Sequence, residues 1–338
     1  TVVFVMNHRS NMDYVLVTWL AAERSHLSYA VGEWARTWPL SALIRAMGAY
    51  FIRRKSQDAL YRKVLSRYVQ ISTSRGTTQA MFPEGGLSLN GAVGVPRMGL
   101  LNYMVEDFEP GESRDVVFIP VALNYDRVIE DRVLVAADTA GTRRFKLRFI
   151  DVVKHVSTHV AQRLTGRFHR FGYASVSFGQ PLSLTRFLAE NPAVAAPTGL
   201  LARQLMARIR AVVPVLPVPV VATALLDGEA QGSKGLARDA IAARFARLVN
   251  DMEARGAHVH LPKGGVDYAV DFALRHLALR KVVRRDGTGY RVNEADRALL
   301  RYYANTIAHL SGEIPTPEGH VAPERPLTGG HENESGAT

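Results

Sequence analysis

The fold is decided by residues 2–22, VVFVMNHRSNMDYVLVTWLAA. The apolar run at 2–6 predicts a buried strand, and residues 14–22, which contain no glycine or proline, predict a helix. The polar residues between these two elements therefore lie at a turn from a strand into a helix. In α/β proteins such turns line the edge of the sheet at which ligands bind. We expect an α/β fold with a functional site at this turn.

His8 and Asp13 lie within this polar turn, five positions apart. Ser10 or Asn11 can cap the helix, which puts Asp13 in its first turn and close enough to fold back onto His8. A carboxylate on one ring nitrogen fixes the histidine tautomer and leaves the other nitrogen as a base. The pair is a candidate for general-base chemistry. The alternative interpretation is a capped helix with a surface histidine before it.

The composition favours an anionic partner and excludes thiol chemistry. The 338 residues include 42 Lys and Arg against 31 Asp and Glu, a formal net charge of +11. This excess suits a phosphorylated substrate, an anionic membrane surface or nucleic acid. The chain has no cysteine, so disulfides, thiolate metal sites and a cysteine nucleophile are excluded. A serine hydrolase is disfavoured because no Gly-x-Ser-x-Gly elbow occurs.

No segment is predicted to span a membrane. The longest apolar candidate, residues 211–226, is interrupted by Pro214, Pro217 and Pro219, whereas a spanning helix needs about 18 or more apolar residues in a row. No signal peptide is evident. Because the chain starts inside a predicted strand and without methionine, we expect a fragment or a processed chain whose catalytic domain lacks its N-terminal part.

Two adjacent arginines follow the next clear strand. Residues 49–52 predict a strand, and Arg53 and Arg54 stand at its end. Successive side chains of a strand point to opposite faces, so one of the two arginines should enter the site. A guanidinium group binds phosphate through two parallel hydrogen bonds, which suits a phosphomonoester. The alternative is a pair of solvated charges.

Two later segments carry glycine and proline at positions with structural meaning. The strand predicted over 77–82 leads into Pro-Glu-Gly-Gly, with the last three residues at 84–86. Glycines let the backbone approach a ligand, and free N–H groups there can bind an oxyanion or a phosphate oxygen. A further buried strand is predicted over 116–123 and contains Pro120. Proline inside a strand suggests a sheet edge, a bulge or a strand end.

The sequence pattern changes near residue 190, where prolines begin to punctuate apolar helical segments. A β-hairpin is predicted over 282–292 around a glycine-containing turn, and Pro, Gly, Glu and Ser dominate the last residues, which predicts disorder. The predicted division is an α/β catalytic domain at 1–190, a mainly helical C-terminal domain with the hairpin at 191–314, and a disordered tail at 315–338.

Two other interpretations of the C-terminal domain stay open. Residues 235–292, two helices and then a hairpin with Arg284, Arg285 and Arg291, are similar to a winged-helix module that binds nucleic acid. The same cations also suit lipid headgroups, and we do not expect nucleic acid to be the partner. A zinc site is a weaker alternative, and its candidate ligands, which lack a recognised spacing, are His258, His260 and His276.

Four segments in this order resemble the four acyltransferase blocks of the glycerolipid acyltransferase superfamily. They are HRSNMD at 8–13, GAYFIRR at 48–54, FPEGGLS at 82–88 and FIPV at 118–121. Two later segments, VPVVATALL at 218–226 and RYYANTIAHL at 301–310, also look like the C-terminal part of one branch of that superfamily. Nearly the whole chain therefore resembles the bacterial and mitochondrial-type glycerol-3-phosphate 1-O-acyltransferases.

This resemblance implies a fold, a reaction and a location. The fold would be a mostly parallel central sheet flanked by helices, with a mainly helical C-terminal domain. The reaction would move a fatty acyl group from acyl-CoA or acyl-carrier protein to the sn-1 hydroxyl of glycerol 3-phosphate, without a cofactor or a metal. The protein would be peripheral, on the anionic surface of the cytoplasmic face of the cell membrane, because its product is a lipid.

The resemblance also implies roles for individual residues. His8 would be the general base that takes the hydroxyl proton, and Asp13 would orient it without a serine nucleophile. The arginines would hold the acceptor phosphate, the Glu-Gly-Gly segment would shape the acceptor pocket, and the proline would be a structural part of the fourth block. The implied substrate-binding residues are Arg53, Arg54, Glu84, Gly85, Gly86 and Pro120.

One position departs from the family pattern. Where the family commonly has an arginine that helps to bind the acceptor phosphate, this chain has Leu87, and Leu89 replaces a second basic residue. Leucine cannot donate a hydrogen bond to an anion, so Arg53, Arg54, Arg97 or another cation would have to compensate, or the acceptor differs. Lysophosphatidate and dihydroxyacetone phosphate are the alternative acceptors. The GAYFIRR block and the C-terminal resemblance argue against the lysophosphatidate enzymes, which are usually shorter.

Overall fold

The computed structural model describes residues 1–21, 27–32, 42, 45–46, 48–53, 58–142, 172–194, 196–233, 235–287 and 289–311. Arg54 and the predicted tail at 315–338 lie outside the described residues. The strands are β1 Val2–Met6, β2 Ser28–Gly32, β3 Ala49–Ile52, β4 Gln79–Met81, β5 Val117–Tyr125, β6 Ala174–Phe178, β7 Leu182–Ser183, β8 Leu236–Ala237, β9 Val283–Asp286 and β10 Gly289–Val292. The helices are α1 Met12–Ala21, α2 Ala59–Ser74, α3 Gly99–Val105, α4 Asp131–Thr139, α5 Leu184–Glu190, α6 Pro197–Ala211, α7 Pro217–Ala230, α8 Arg238–Ala254, α9 Gly265–Leu279 and α10 Arg297–Asn305.

A mostly parallel sheet organises the first half of the chain, as predicted. Its strand order is β3-β2-β4-β1-β5-β6, and β7 also pairs with β5. The pairs β3–β2, β2–β4, β4–β1 and β1–β5 are parallel, whereas β6 and β7 run antiparallel to β5. The carboxyl ends of β1, β4 and β5 therefore lie side by side, and the turns that follow these strands meet at one edge of the sheet.

Pro120 lies in an interior strand rather than at the sheet edge that a strand proline suggests. It is opposite Val5 of β1, and its carbonyl accepts the N–H of Gly179 at 2.8 Å. On that same side, β7 pairs with residues 117–118 and β6 pairs with residues 121–125. The N–H that proline lacks thus falls at the break between two partner strands, where no ladder hydrogen bond is lost.

Helices cover both faces of the sheet. On one face, α2, α3, α5 and α6 share a core with Val3, Val5 and Phe118. On the other face, α1, α4 and the C-terminal helices share a core with Val121 and Leu123. Because α6 packs against β1 and β5, the first long helix beyond residue 190 covers the same sheet. The domain division at this point stays a prediction.

The proline-rich apolar segment forms a buried helix that is tied to the sheet. Proline needs no N–H partner at the start of a helix, and α7 begins at Pro217. The N–H of Val218 in its first turn donates to Asp126 Oδ1 at 2.9 Å, and Tyr173 N–H donates to Asp126 Oδ2 at 3.0 Å. Burial raises the pKa of Asp126 to about 7, and these two hydrogen bonds oppose the rise. A carboxyl group at the end of β5 therefore caps a C-terminal helix.

The C-terminal part combines helices with a small antiparallel sheet. β9 and β10 form the predicted hairpin, with Val283 opposite Val292. β8 adds to β10, so the strand order is β8-β10-β9. With α7 before β8, and α8 and α9 between β8 and β9, the connectivity resembles that of a winged helix. None of the helices in the described part of the chain is long and apolar enough to cross a membrane.

Candidate active site

His8 and Asp13 are in contact in the turn between β1 and α1, which is called the His8 turn here and comprises residues 7–13. His8 Nδ1 lies 2.9 Å from Asp13 Oδ2, and the two residues are 3% and 0% exposed. The turn is closed by the Asp13 N–H, which donates to Ser10 O at 3.0 Å, and Ser10 Oγ accepts the Met12 N–H at 3.1 Å. Ser10 therefore caps α1, and His8 is a buried, paired residue rather than a surface histidine.

Asp13 receives hydrogen bonds from four groups. Its Oδ2 also accepts the backbone N–H groups of Arg9 at 2.7 Å and Ser10 at 3.0 Å, and its Oδ1 accepts the Tyr125 hydroxyl at 2.6 Å. Burial and the neighbouring Asp13 both raise the pKa of Tyr125, which keeps the phenol protonated as a donor. A carboxylate can only accept hydrogen bonds, so the His8 ring donates to Asp13 through Nδ1. In the neutral imidazole the proton therefore lies on Nδ1, and Nε2 carries the lone pair.

Two aromatic rings hold the imidazole from its other sides. The ring of Phe82 stacks on His8 at a centroid distance of 4.1 Å and an angle of 26°, and Tyr14 makes an edge contact at 5.2 Å. Within the described residues, Nε2 makes no hydrogen bond. The ring is therefore fixed by packing and by one carboxylate, while the atom that would act as the base is uncommitted.

Glu84 holds the backbone of His8. It follows β4, the parallel neighbour of β1, and its Oε1 accepts the His8 N–H at 3.0 Å while its Oε2 accepts the Gly94 N–H at 2.9 Å. The Ser88 N–H donates to His8 O at 3.0 Å. Both backbone polar groups of His8 are thus bound by the 84–88 segment. Burial raises the pKa of Glu84, and the Arg9 cation is the first of the influences that oppose this rise.

Gly85, the residue after Glu84, leaves room for the Arg97 side chain to lie against the loop. Gly85 has φ +66°, and a Cβ atom there would lie 2.7 Å from Cδ of Arg97, so a larger residue would displace that side chain. The Arg97 N–H donates to Pro83 O at 2.7 Å. The Gly85 N–H donates to Phe82 O at 3.0 Å, so it is not available to a ligand, whereas the Gly86 N–H makes no hydrogen bond to the described residues.

The two leucines that depart from the family pattern pack into or against the apolar core. Leu87 is buried in the core that α1, α4 and the C-terminal helices share, and Leu89 packs against that core. The exposed cation beside this loop is Arg97, one of the three arginines named above as candidates for compensation. Arg97 lies ten residues after Leu87 in the sequence.

Arg53 is separated from His8 by several strands of the sheet. It is exposed at the end of β3, where its N–H donates to Tyr61 Oη at 2.8 Å and its guanidinium group lies 5.8 Å from the centre of the Tyr61 ring. β3 is three strands from β1, a separation of about 14 Å at roughly 4.8 Å per strand. Pro120 lies in β5 opposite Val5 of β1, and no hydrogen bond among the described residues joins it to His8.

Sequence reasoning missed Tyr125 and Glu130, which both support the His8 turn. Glu130 Oε2 accepts the Ser10 hydroxyl at 2.8 Å, and its Oε1 accepts the Asn11 N–H at 3.2 Å and the Asn11 side-chain amide at 3.0 Å. Both missed residues lie at or just after the end of β5, which pairs with β1. Because that strand was predicted from the sequence, the polar residues at its carboxyl end could have been recognised as candidates for the site.

A metal site finds no support in the described part of the chain. No group of three or more His, Cys, Asp or Glu residues is placed there so that it could hold a metal ion. This part includes the three histidines at 258, 260 and 276.

Two family models match the chain in succession. Residues 1–124 match the model described as Acyltransferase, and residues 162–311 match the model described as Glycerol-3-phosphate acyltransferase C-terminal region. The first match covers the His8 turn and almost all of the strands that surround it. The chain is thus similar to acyltransferases over the residues that hold the His8–Asp13 pair.

Curated relatives make the class more specific. The chain is 27% identical to a glycerol-3-phosphate acyltransferase of Aeromonas hydrophila over 91% of its own length, and 26% identical to those of Pseudomonas paraeruginosa and Pseudomonas fluorescens over the same share. It spans about two fifths of the length of these relatives, 39% of the first and 38% of the others. In its sequence the chain is similar to glycerol-3-phosphate acyltransferases, as its motifs predict.

Replacing Tyr125 with phenylalanine should destabilise the protein, because it leaves one oxygen of a buried carboxylate without its donor. We expect Tyr125→Phe to lower the free energy of unfolding by about 1.5–3 kcal/mol, the usual range for a hydrogen bond to a charged group, measured by urea denaturation. Tyr302→Phe is the matched control, since the Tyr302 hydroxyl is buried without a hydrogen-bond partner among the described residues. Equal losses in the two variants would contradict the role given to Tyr125.

Proposed function

We propose that this chain carries the catalytic part of a glycerol-3-phosphate 1-O-acyltransferase. It would transfer a fatty acyl group from the thioester of acyl-CoA or acyl-carrier protein to the sn-1 hydroxyl of glycerol 3-phosphate. One observation carries the proposal: a buried His8–Asp13 pair at the carboxyl edge of a parallel sheet, whose Nε2 makes no hydrogen bond to the part of the chain that the structure describes. The similarity to these relatives supports the same reaction, which the relatives' names state for those proteins.

The proposed step needs a base and no covalent acyl-enzyme. His8 Nε2 takes the proton of the acceptor hydroxyl as that oxygen attacks the thioester carbonyl, and Asp13 stabilises the imidazolium through Nδ1. The tetrahedral intermediate then loses the thiolate, which takes the proton from His8. A C–O bond forms and a C–S bond breaks, so the enzyme ends in its starting state. The Gly86 N–H is available to an oxygen that becomes negative in this step.

Arg97 is the proposed phosphate ligand of the acceptor. It is exposed, its side chain lies against Gly85, and its N–H donates to the carbonyl of Pro83, the residue before the Glu84 that binds the His8 N–H. A guanidinium group suits the phosphomonoester of glycerol 3-phosphate and equally that of dihydroxyacetone phosphate or lysophosphatidate. The cation therefore supports a phosphorylated acceptor as a class, and direct comparison of the three acceptors must choose among them.

Thiol release from palmitoyl-CoA in the presence of glycerol 3-phosphate tests the reaction. We expect His8→Ala and Asp13→Asn to lower kcat by about 100- to 10,000-fold, the usual contribution of general-base catalysis. His258→Ala, which changes an exposed histidine elsewhere, should keep the activity of the wild type. Release that persists in both site variants would remove the assigned roles. Release that requires lysophosphatidate or dihydroxyacetone phosphate instead would keep the chemistry and change the acceptor.

Steady-state kinetics of Arg97→Ala and Arg53→Ala test which cation binds the phosphate. Because a charge-assisted hydrogen bond contributes about 1.5–3 kcal/mol, we expect Arg97→Ala to raise the KM for glycerol 3-phosphate roughly 10- to 100-fold. The KM for the thioester should stay the same, and Arg53→Ala should have the smaller effect. A larger change in acceptor KM for Arg53→Ala would return the phosphate site to the end of β3.

We also propose that α2 docks the protein on the anionic cytoplasmic face of the cell membrane. Leu60, Val64 and Tyr68 form an exposed row along this helix, with 72%, 59% and 46% of each residue accessible. The exposed cations Lys63 and Arg67 lie beside that row, and no acidic residue occurs within the helix. Apolar side chains flanked by basic ones are the pattern of helices that lie in a membrane interface.

Sedimentation with lipid vesicles tests this membrane surface. The wild type should bind vesicles that contain phosphatidylglycerol more strongly than vesicles of phosphatidylcholine alone, because about 1 kcal/mol comes from each basic residue near an anionic surface. The double variant Leu60→Asp and Val64→Asp should lose this binding. Leu279→Asp, which changes an exposed apolar residue on α9, is the matched control. Unchanged binding by the double variant would exclude α2 as the docking surface.

Acidic residues on α9 argue against the nucleic-acid alternative for the winged-helix-like part. In a helix-turn-helix, the second helix enters the major groove, and α9 holds that position here. Its first turns expose Asp267 and Asp271, which pair with Arg238 of α8 at 2.6 and 3.0 Å. Carboxylates on this surface would repel the phosphate backbone that dominates the affinity of such proteins.

A further inference from the structure

We propose that Arg9 is a positioning residue through which the C-terminal region holds the His8 turn in its active geometry. Arg9 follows the base directly in the sequence and is only 1% exposed, so it cannot reach a substrate in the solvent. It is among the largest fully buried side chains of the described residues. A buried guanidinium group with no role in substrate binding requires another explanation.

The guanidinium group of Arg9 joins three distant segments. Its Nη1 donates to Gly91 O in the loop that follows Glu84, and its Nη2 donates to Thr306 O at 3.4 Å, just beyond α10. These partners are 82 and 297 positions away in the sequence. A Cβ atom at Gly91, where φ is +85°, would collide with the carbonyl oxygen of Tyr302. The loop, the end of α10 and the His8 turn are therefore packed directly against one another.

Thr306 presents its carbonyl from a site that is itself fixed. Thr306 Oγ1 donates to Tyr303 O at 2.7 Å and accepts the Asn124 side-chain amide at 3.3 Å. The same amide donates to Pro214 O at 2.8 Å, and the Asn305 side-chain amide donates to Asn90 O at 2.9 Å. Several hydrogen bonds from the C-terminal region therefore fix the acceptor for Arg9 before any substrate binds.

The charge of Arg9 acts on the two carboxylates that hold His8. Burial lowers the pKa of Arg9, and Tyr302, Glu84 and Asp13 are the groups that oppose this change most. In return, Arg9 is the first influence that opposes the raised pKa of Glu84. Asp13 binds the ring of His8 and Glu84 binds its backbone N–H. Arg9 therefore acts on the base through both of its supports, without touching the reacting atoms.

Two variants separate the charge of Arg9 from its shape. We expect Arg9→Gln to lower kcat about 100-fold, the loss that a small misplacement of a catalytic group causes, with little change in the KM of either substrate. Without the cation, Glu84 should take up a proton more readily, so the acid limb of the kcat–pH profile should move to higher pH. Arg9→Lys keeps the charge with a smaller donor group, and it should restore the profile and part of the rate.

Asn305→Ala is the matched control for a merely structural effect. It removes a hydrogen bond between the same two segments without changing any charge. We expect it to lower the melting temperature and to leave the pH profile unchanged. If Arg9→Gln also leaves the profile of the wild type unmoved, or if Arg9→Lys restores nothing, the inference is overturned. If Arg9→Gln does not fold, kcat of Arg9→Lys is compared with that of the wild type. A lower kcat at unchanged KM supports the inference, and the kcat of the wild type overturns it.

Hydrogen exchange provides a readout that does not depend on activity, since the kinetic readouts rest on the proposed function. In the full chain, Arg9→Gln should speed amide exchange in residues 7–13 and 301–310 together, relative to Asn305→Ala. Protection that stays as in the wild type would overturn the inference. A wild type that is inactive with every acceptor, but shows this coupled loss of protection in Arg9→Gln, would count against the proposed function and support the role of Arg9.

Discussion

The structure around the active site depends on one buried carboxylate that must be fully hydrogen-bonded. Removing a carboxylate from water costs several kcal/mol unless donors replace the lost solvent. Asp13 is completely buried and receives four donors: the His8 ring, the N–H groups of Arg9 and Ser10, and the Tyr125 hydroxyl. Satisfying this carboxylate fixes the shape of the His8 turn, the tautomer of the base and the position of β5 relative to β1. Stability and chemistry therefore require the same geometry.

A second set of buried polar contacts joins the sheet to the C-terminal region. Asp126 at the end of β5 caps α7, Asn124 binds Pro214 and Thr306, and Arg9 reaches Thr306. Each contact pairs a group that would be costly to bury alone with a backbone group or a helix end. The C-terminal helices also share one core with the second face of the sheet. This is a physical reason why the two matched family regions occur together in one chain.

We propose that Arg97 supplies the charge that an arginine in place of Leu87 would provide in the family that the chain resembles. Leu87 fills the apolar core, and the cation beside the loop is Arg97, which lies over a glycine that leaves room for it. A motif records which residue type stands at one position, whereas an anion responds to the position of the charge in space. For this reason Arg97, and not the motif position, is the residue on which we base acceptor binding.

The sequence by itself determined the local elements and the pairing of His8 with Asp13. The strand at 2–6, the helix after the His8 turn, the hairpin and the His8–Asp13 contact all follow from periodicity, capping and short spacing, which act within a few residues. Only the tertiary structure decided the contacts of Tyr125 with Asp13, Glu130 with Ser10, and Arg9 with Thr306, which span 112, 120 and 297 positions. It also decided that Arg97 lies beside the loop while Arg53 lies three strands away. Such contacts depend on strand order and on the packing of distant helices, and no local pattern of residues encodes either.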